Sequence, residues 1–139
     1  VKAAGIRFAY HSHGFDFRRY DGRYGLDIIL DRTDPALVAL ELDIGNTIAA
    51  GIDPAPYLAP GGRTRLAHVK DWHAPYTPSL DDMPASAPAG EGSIAWRPIL
   101  AALERARVPY VFIEQEGIDP ANALNLLARN YRYLQREMK

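Results

Sequence analysis

Arg65-Leu66-Ala67-His68-Val69-Lys70-Asp71 alternates between apolar and ionisable side chains. Successive side chains of a strand point to opposite faces of the sheet. Over Arg65 to Lys70 this puts Ala67 and Val69 on one face and His68 and Lys70 on the other. The pattern recurs in three further runs. From Val38 to Ile44, Leu40, Leu42 and Ile44 oppose Glu41 and Asp43. From Ile6 to His11, Ile6, Phe8 and Tyr10 oppose Arg7, Ala9 and His11. From Tyr110 to Gln115, Val111 and Ile113 oppose Phe112 and Glu114, with Glu116 following in the same phase. Each strand has a face that stays apolar and a face that becomes ionisable near its C-terminal end.

Helix-like runs separate the strands. One is centred on Leu26 to Leu30, and another spans Ile94 to Arg107. Asp53-Pro54 opens a short helical stretch, and Asp119-Pro120 caps a last helix running to near Met138; an Asp followed by Pro is a common helix start. Strands alternating with helices imply an α/β fold with parallel strands. The apolar faces then meet the helices and the ionisable faces converge, which suits a parallel barrel with its site at the C-terminal ends of the strands. Isolated buried carboxylates are costly, and a divalent cation among them removes that cost. All four histidines, His11, His13, His68 and His73, fall at or just after the ends of the first and third strands. The long Pro-, Ala- and Ser-rich segment from Trp72 to Gly92 is placed to act as a lid. Trp72 and Tyr76 offer an apolar platform for a ligand, and Trp96 is expected in the core because it begins a helix.

The 139 residues fit one domain, 1–139. With 47% apolar and 24% charged residues and a formal net charge of −1, the chain reads as globular, with no basic run to engage nucleic acid. No apolar stretch approaches the roughly 20 residues that span a bilayer. The chain has no cysteine, so a bound metal would rely on His, Asp and Glu. The opening Val1-Lys2-Ala3-Ala4-Gly5 lacks an initiator Met and resembles the last turn of a helix stopped by Gly5. The expectation is therefore a fragment whose upstream portion, with any targeting signal, is missing. The cytoplasm is the expected compartment. Free strand edges leave a homo-oligomer open.

Five segments carry a family resemblance. They are Tyr10-His11-Ser12-His13-Gly14-Phe15-Asp16-Phe17, Leu40-Glu41-Leu42-Asp43 with Ala50-Gly51-Ile52-Asp53-Pro54, His68-Val69-Lys70-Asp71, Gly90-Glu91-Gly92-Ser93-Ile94-Ala95-Trp96, and Ile113-Glu114-Gln115. Together and in this order the sequence resembles the xylose isomerase-like sugar phosphate isomerase/epimerase superfamily over nearly its whole length. The resemblance implies a (β/α)8 TIM barrel of which this chain is the C-terminal half, the last four βα units. It implies one divalent metal ion, Mn²⁺, Mg²⁺, Co²⁺ or Zn²⁺, held by Asp43, His68 and Glu114. His11 stands where epimerase relatives carry a glutamate ligand, and Asn46 where some relatives carry a substrate-contacting His or a Trp.

The implied activity is isomerisation or epimerisation of a keto sugar or sugar derivative by proton transfer next to its carbonyl, through an enediolate. Glu114 is expected as ligand and base. His13 and Lys70 are candidates for shuttling protons or polarising a substrate oxygen, and Lys70 has a structural alternative, an ion pair with Glu41 or Glu116. Asp16, Glu41, Asn46, Asp71, Trp72 and Glu116 are the expected contacts to the small-molecule sugar, with Asp71 also placed to orient a ligand or to cap the following loop. A lyase or dehydratase shares the same intermediate. An endonuclease IV-like hydrolase would need two or three metals, and a sugar-binding barrel without catalysis would need none.

Overall fold

The computed structural model describes residues 2–138. Four strands, β1 (Phe8–His11), β2 (Val38–Asp43), β3 (Thr64–Val69) and β4 (Tyr110–Ile113), form one parallel sheet in chain order. Its register sets His11 beside Glu41, Asp43 beside His68, and His68 beside Phe112. The ionisable residues of four separate segments thus fall near the C-terminal ends of the strands, staggered in register, with Asp43 and His68 side by side.

Helices α1 (Gly25–Arg32), α2 (Ile44–Ala49), α3 (Trp96–Ala106) and α4 (Ala123–Glu137) connect and follow the strands. The core joins Leu40, Leu42, Ala67 and Val69 of the sheet to Leu26, Leu100, Leu103 and Leu134 of the helices. Each fully buried leucine contributes about 2 kcal/mol of apolar transfer free energy. The apolar phase of the strands therefore meets the helices, as the alternation requires. On the open side, β1 and β4 each pair along one edge only. Phe8, Tyr110 and Phe112 are exposed there, and so are Leu124, Leu127 and Tyr131 on α4.

Several boundaries differ from expectation. β2 stops at Asp43, and α2 begins at the next residue with no intervening loop. The Asp43 carboxylate caps this helix by accepting the Asn46 N–H at 2.8 Å. The Asp53 stretch makes only a 3₁₀ turn, Ala55–Leu58, and another, Pro120–Asn122, precedes α4. Lys2–Ala4 also form a 3₁₀ turn before Gly5, whose φ is +72°; Val1 lies outside the described residues.

The segment after β3 is not a free lid. Asp71–Trp72 pairs antiparallel with Ser86–Ala87. Beyond that ladder the chain crosses to the β1 side as a fixed strap. The Ser79 N–H donates to Ala49 O at 2.9 Å, and Arg18 grips both Asp81 oxygens at 2.9 Å. Gly14 is required beneath the strap, since a Cβ there would meet the Leu80 carbonyl oxygen at 2.8 Å. Among the described residues no helix is long and apolar enough to cross a membrane.

Candidate metal centre

Four strand ends place four ligand-type side chains together. One ligand atom from each of His11, Asp43, His68 and Glu114 lies within 4.8 Å of the other three. His11 comes from the end of β1, Asp43 from β2, His68 from β3, and Glu114 follows β4 directly. The backbone fixes these ends to one another. Ser12 N–H donates to Glu41 O at 3.0 Å, Asp43 N–H to Ser12 Oγ at 3.1 Å, and Glu114 N–H to Val69 O at 3.1 Å. Ser12 is fully buried and ties β1 to β2; no periodic signal marked it in the sequence.

His68 bridges two carboxylates, with Nε2 at 2.8 Å from Glu41 and Nδ1 at 2.7 Å from Glu114. A neutral imidazole donates from one nitrogen only. Two carboxylates on one ring make this locus favourable to a cation. His11 stands edge-on to His68 with ring centroids 4.5 Å apart, and its two nitrogens lie 3.8 Å from Glu41 and from Asp43. Lys70 is buried, and its ammonium contacts Glu114 and Glu116 at 2.9 Å each and Asp43 at 3.8 Å. Three carboxylates thus face one lysine, and a fourth, Glu41, faces the two imidazoles. The mixed imidazole and carboxylate donors and this excess of negative charge could hold a metal ion.

The ionisation states follow from the surroundings. Burial pushes the Asp43 carboxyl up, against the pull of the Asn46 N–H and the Lys70 charge. Burial also works against the Lys70 ammonium, but hydrogen bonds to Glu114 and Glu116 outweigh it and raise its pKa. Burial opposes ionisation of Glu114 as well, yet bonds from Lys70 and His68 hold its carboxyl down at about 2. So weak a base takes protons poorly near neutrality. Glu114, expected as ligand and base, is held ionised by Lys70 and His68. Lys70 is held as a cation, which suits polarising an oxygen rather than accepting a proton. Its partners are Glu114 and Glu116, not Glu41.

The expected sugar contacts separate into two groups. Glu41, Asn46 and Glu116 lie at the cluster. Glu41 orients His68, Glu116 holds Lys70, and Asn46 Nδ2 donates to Asp43 Oδ2 at 2.8 Å and lies 3.3 Å from His13 Nδ1. Asp16, Asp71 and Trp72 are buried and held by partners within the fold. Asp16 is buried, accepts the Tyr10 hydroxyl and the His13 N–H at 2.7 Å each, and sets the loop that carries His13. Trp72 is wholly buried, with Nε1 donating to Gly45 O at 2.7 Å. Asp71 is buried too, and five donors consume its carboxylate: the backbone N–H groups of Trp72, Gly90, Gly92 and Ile94, and Trp96 Nε1. Trp96 lies in the core, as its position predicts. Glu91 pairs with Arg129 of α4. His73 is exposed and stands outside the cluster.

No protein-family model matches the sequence, and no curated protein does. Solved structures do. A sugar phosphate isomerase/epimerase from Parabacteroides distasonis superposes with a TM-score of 0.77 at 25% identity over 96% of this chain. A second from the same organism gives 0.76 at 23% over 97%. A xylose isomerase domain protein from Planctomyces limnophilus gives 0.62 at 23% over 97%. The chain spans about half the length of these proteins, 46% to 48%. Its fold is that of xylose isomerase-like TIM-barrel proteins, carried here by four parallel strand–helix units.

Proposed function

We propose that this chain, as a single domain, forms the C-terminal half-barrel and the metal-holding wall of the active site of a divalent-metal-dependent sugar isomerase or epimerase. The observation that carries the reading is the convergence of His11, Asp43, His68 and Glu114 on one ion-sized locus at the strand ends. The likeness to sugar phosphate isomerase/epimerase structures supports the same class. A bound divalent ion supplies Lewis-acid polarisation of a substrate carbonyl. His11, Asp43, His68 and Glu114 hold it.

The remaining groups divide the proton work. Glu41 lies outside the four ligands, on the same face of β2 as Asp43, and is partly exposed. We assign it the removal of the proton next to the carbonyl. His13 Nδ1 faces the Asn46 amide N–H, so a neutral His13 carries its proton on Nε2 and donates to a substrate oxygen. Lys70 adds a fixed positive charge beside the oxygen on which negative charge develops. Returning the proton to the neighbouring carbon isomerises, and returning it to the opposite face epimerises.

The test is solvent deuterium exchange into a panel of keto sugars by the full-length protein loaded with Mn²⁺ or Zn²⁺. Exchange is expected in the wild type. Glu41→Gln should lower it by roughly a hundredfold or more while metal binding persists. No exchange with any keto sugar, in folded and metal-loaded protein, refutes the reading. Among the described residues there is one ligand group of this kind, and a hydrolase built on two or three ions would need more.

A further inference from the structure

The end of β4 has little backbone support. β4 pairs only with β3, its Tyr110 and Phe112 are exposed, and its last backbone tie is the Glu114 N–H to Val69 O. Gln115, Glu116 and Gly117 then leave the sheet, with Gly117 at φ +64°. Glu114 nevertheless meets Lys70 at 2.9 Å and His68 at 2.7 Å. Side chains from outside the sheet supply the missing support. The Glu116 N–H donates to Ser86 Oγ at 3.3 Å, and Gln115 turns to α4 while Glu114 turns to the cluster.

The α4 partner is Asn130, which is 2% exposed and shares the buried side of that helix with Leu134 alone. Its Oδ1 accepts the Ala89 N–H at 2.5 Å, and its Nδ2 donates to Gln115 Oε1 at 2.9 Å and to Leu126 O at 2.8 Å. A backbone N–H only donates and a carbonyl only accepts, so the amide has one orientation, with both Nδ2 hydrogens used. Asparagine is a poor helix former, and this one stands in mid-helix with every polar group engaged. Its bonds close a ring behind the Lys70–Glu114 pair. Lys70 is followed by Asp71, whose Oδ2 accepts the Gly90 N–H at 2.9 Å. Ala89 precedes Gly90 and donates to Asn130, Asn130 donates to Gln115, and Gln115 follows Glu114. Asn130 is thus the link between the segment that leaves β3 and the segment that leaves β4.

We propose that Asn130 is a positioning residue of the metal centre: through Gln115 it holds Glu114 where that carboxylate completes the ligand set with His11, Asp43 and His68. The inference rests on the metal-dependent reading above and adds to it the part of α4 that aims the β4 ligand. Asn130 itself stays outside the cluster.

The experiment is calorimetric titration of the full-length protein with Zn²⁺, beside urea denaturation of each variant. Gln115→Met removes the acceptor and leaves the rest of the Asn130 network in place. Asn130→Ala removes the donor. Each should weaken Zn²⁺ binding by about tenfold, and the double variant should be no weaker than Asn130→Ala alone. Gln115→Glu keeps an acceptor facing Nδ2 and should restore affinity to within about threefold of wild type. Arg129→Ala breaks the exposed pair with Glu91, another tie between α4 and the same loop; it should leave Zn²⁺ affinity within about twofold of wild type. A purely structural role lowers urea stability and leaves the affinity of the folded protein unchanged. If folded Gln115→Met binds Zn²⁺ within about twofold of wild type, or Arg129→Ala weakens binding as much as Gln115→Met does, the positioning role is overturned and the metal-dependent reading stands. Failure of folded wild type to bind Zn²⁺ overturns both.

Discussion

Replacing Asp71 by Asn tests the claim that this residue anchors the connection from β3 to α3 rather than contacting substrate. Its Oδ1 accepts the N–H groups of Trp72 at 2.8 Å and Ile94 at 3.1 Å, and its Oδ2 accepts Gly90 N–H at 2.9 Å, Gly92 N–H at 3.2 Å and Trp96 Nε1 at 2.9 Å. Asparagine keeps the shape but turns one oxygen into a donor that faces other donors. Wherever its NH₂ lies, two or three N–H groups lose their acceptor. The groups on Trp72, Ile94 and Trp96 are buried. Hydrogen bonds to a charged acceptor are worth about 1.5–3 kcal/mol each, and unsatisfied buried donors carry a desolvation cost of similar size. Two lost bonds therefore destabilise by about 4 kcal/mol, which for a chain of this size lowers Tm by about 15 °C. Urea denaturation gives the free energy directly. A double-mutant cycle with Trp96→Phe, which removes one donor and keeps most of the ring, should show coupling of about 1 kcal/mol or more. Destabilisation below about 1 kcal/mol, or a loss of sugar binding with stability unchanged, would refute the anchoring role.

Three further outcomes follow from the same contacts. The Glu114 carboxyl is lowered from its ordinary 4.5 to about 2, so its contribution is fully present above pH 4.5 and is lost as pH falls toward 2; Glu114→Gln should flatten that limb of an acid-unfolding curve, while the raised Asp43 carboxyl acts in the opposite sense. Gly45→Ala should destabilise by about 3 kcal/mol or more in a thermal melt, because the new Cβ would overlap the backbone and Cβ of Lys70, which have no room to move. Lys70→Met should cost about 2 kcal/mol in urea, less than for a fully buried pair because Glu114 and Glu116 keep part of their hydration. It should slow deuterium exchange into substrate more than it weakens metal binding.

Much of the sheet is legible because its signal has a period of two and repeats four times. The ionisable phase of the strands contains His11, Asp43, His68 and Glu114 beside Glu41, Lys70 and Glu116, and the family resemblance singles out the four as ligand positions. The amphipathic runs of α3 and α4 are long enough to show their period. α2 is different. Its six residues include Gly45 and the β-branched Ile44, Thr47 and Ile48, poor helix formers that read as a strand continuing into a loop. The helix exists because Asp43 caps it and Gly45 lets it press against Lys70. Asp71 is only partly legible for a related reason: capping of the following loop is one of its two readings, but the extent of it is not. A carboxylate next to a ligand strand reads as chemistry, and its five donors come from residues as many as 25 positions away, which no local pattern reports. Trp72 is similar, since only the short ladder with Ser86–Ala87 and the approach of Gly45 reveal that it is interior.

Asp43 joins fold and chemistry most closely. It ends β2, accepts the Asn46 N–H in the first turn of α2, bonds the Asn46 side chain and offers an oxygen to the cluster. Its own N–H is held by Ser12, and Ser12 N–H is held by the strand carrying Glu41. The ligand positions are therefore set by backbone hydrogen bonds that exist for structural reasons, and preorganisation of this kind leaves little for a bound ion to arrange. Amide hydrogen exchange with and without Zn²⁺ measures this directly. Protection at Ser12, Asp43 and Asn46 should change by less than about threefold through local opening, apart from any uniform rise in global stability. A selective gain of roughly a hundredfold or more at these amides would mean that the ion builds the site. In that case the hydrogen bonds from Ser12 and Asp43 would follow from metal binding, and the strand ends would lose their claim to position the chemistry.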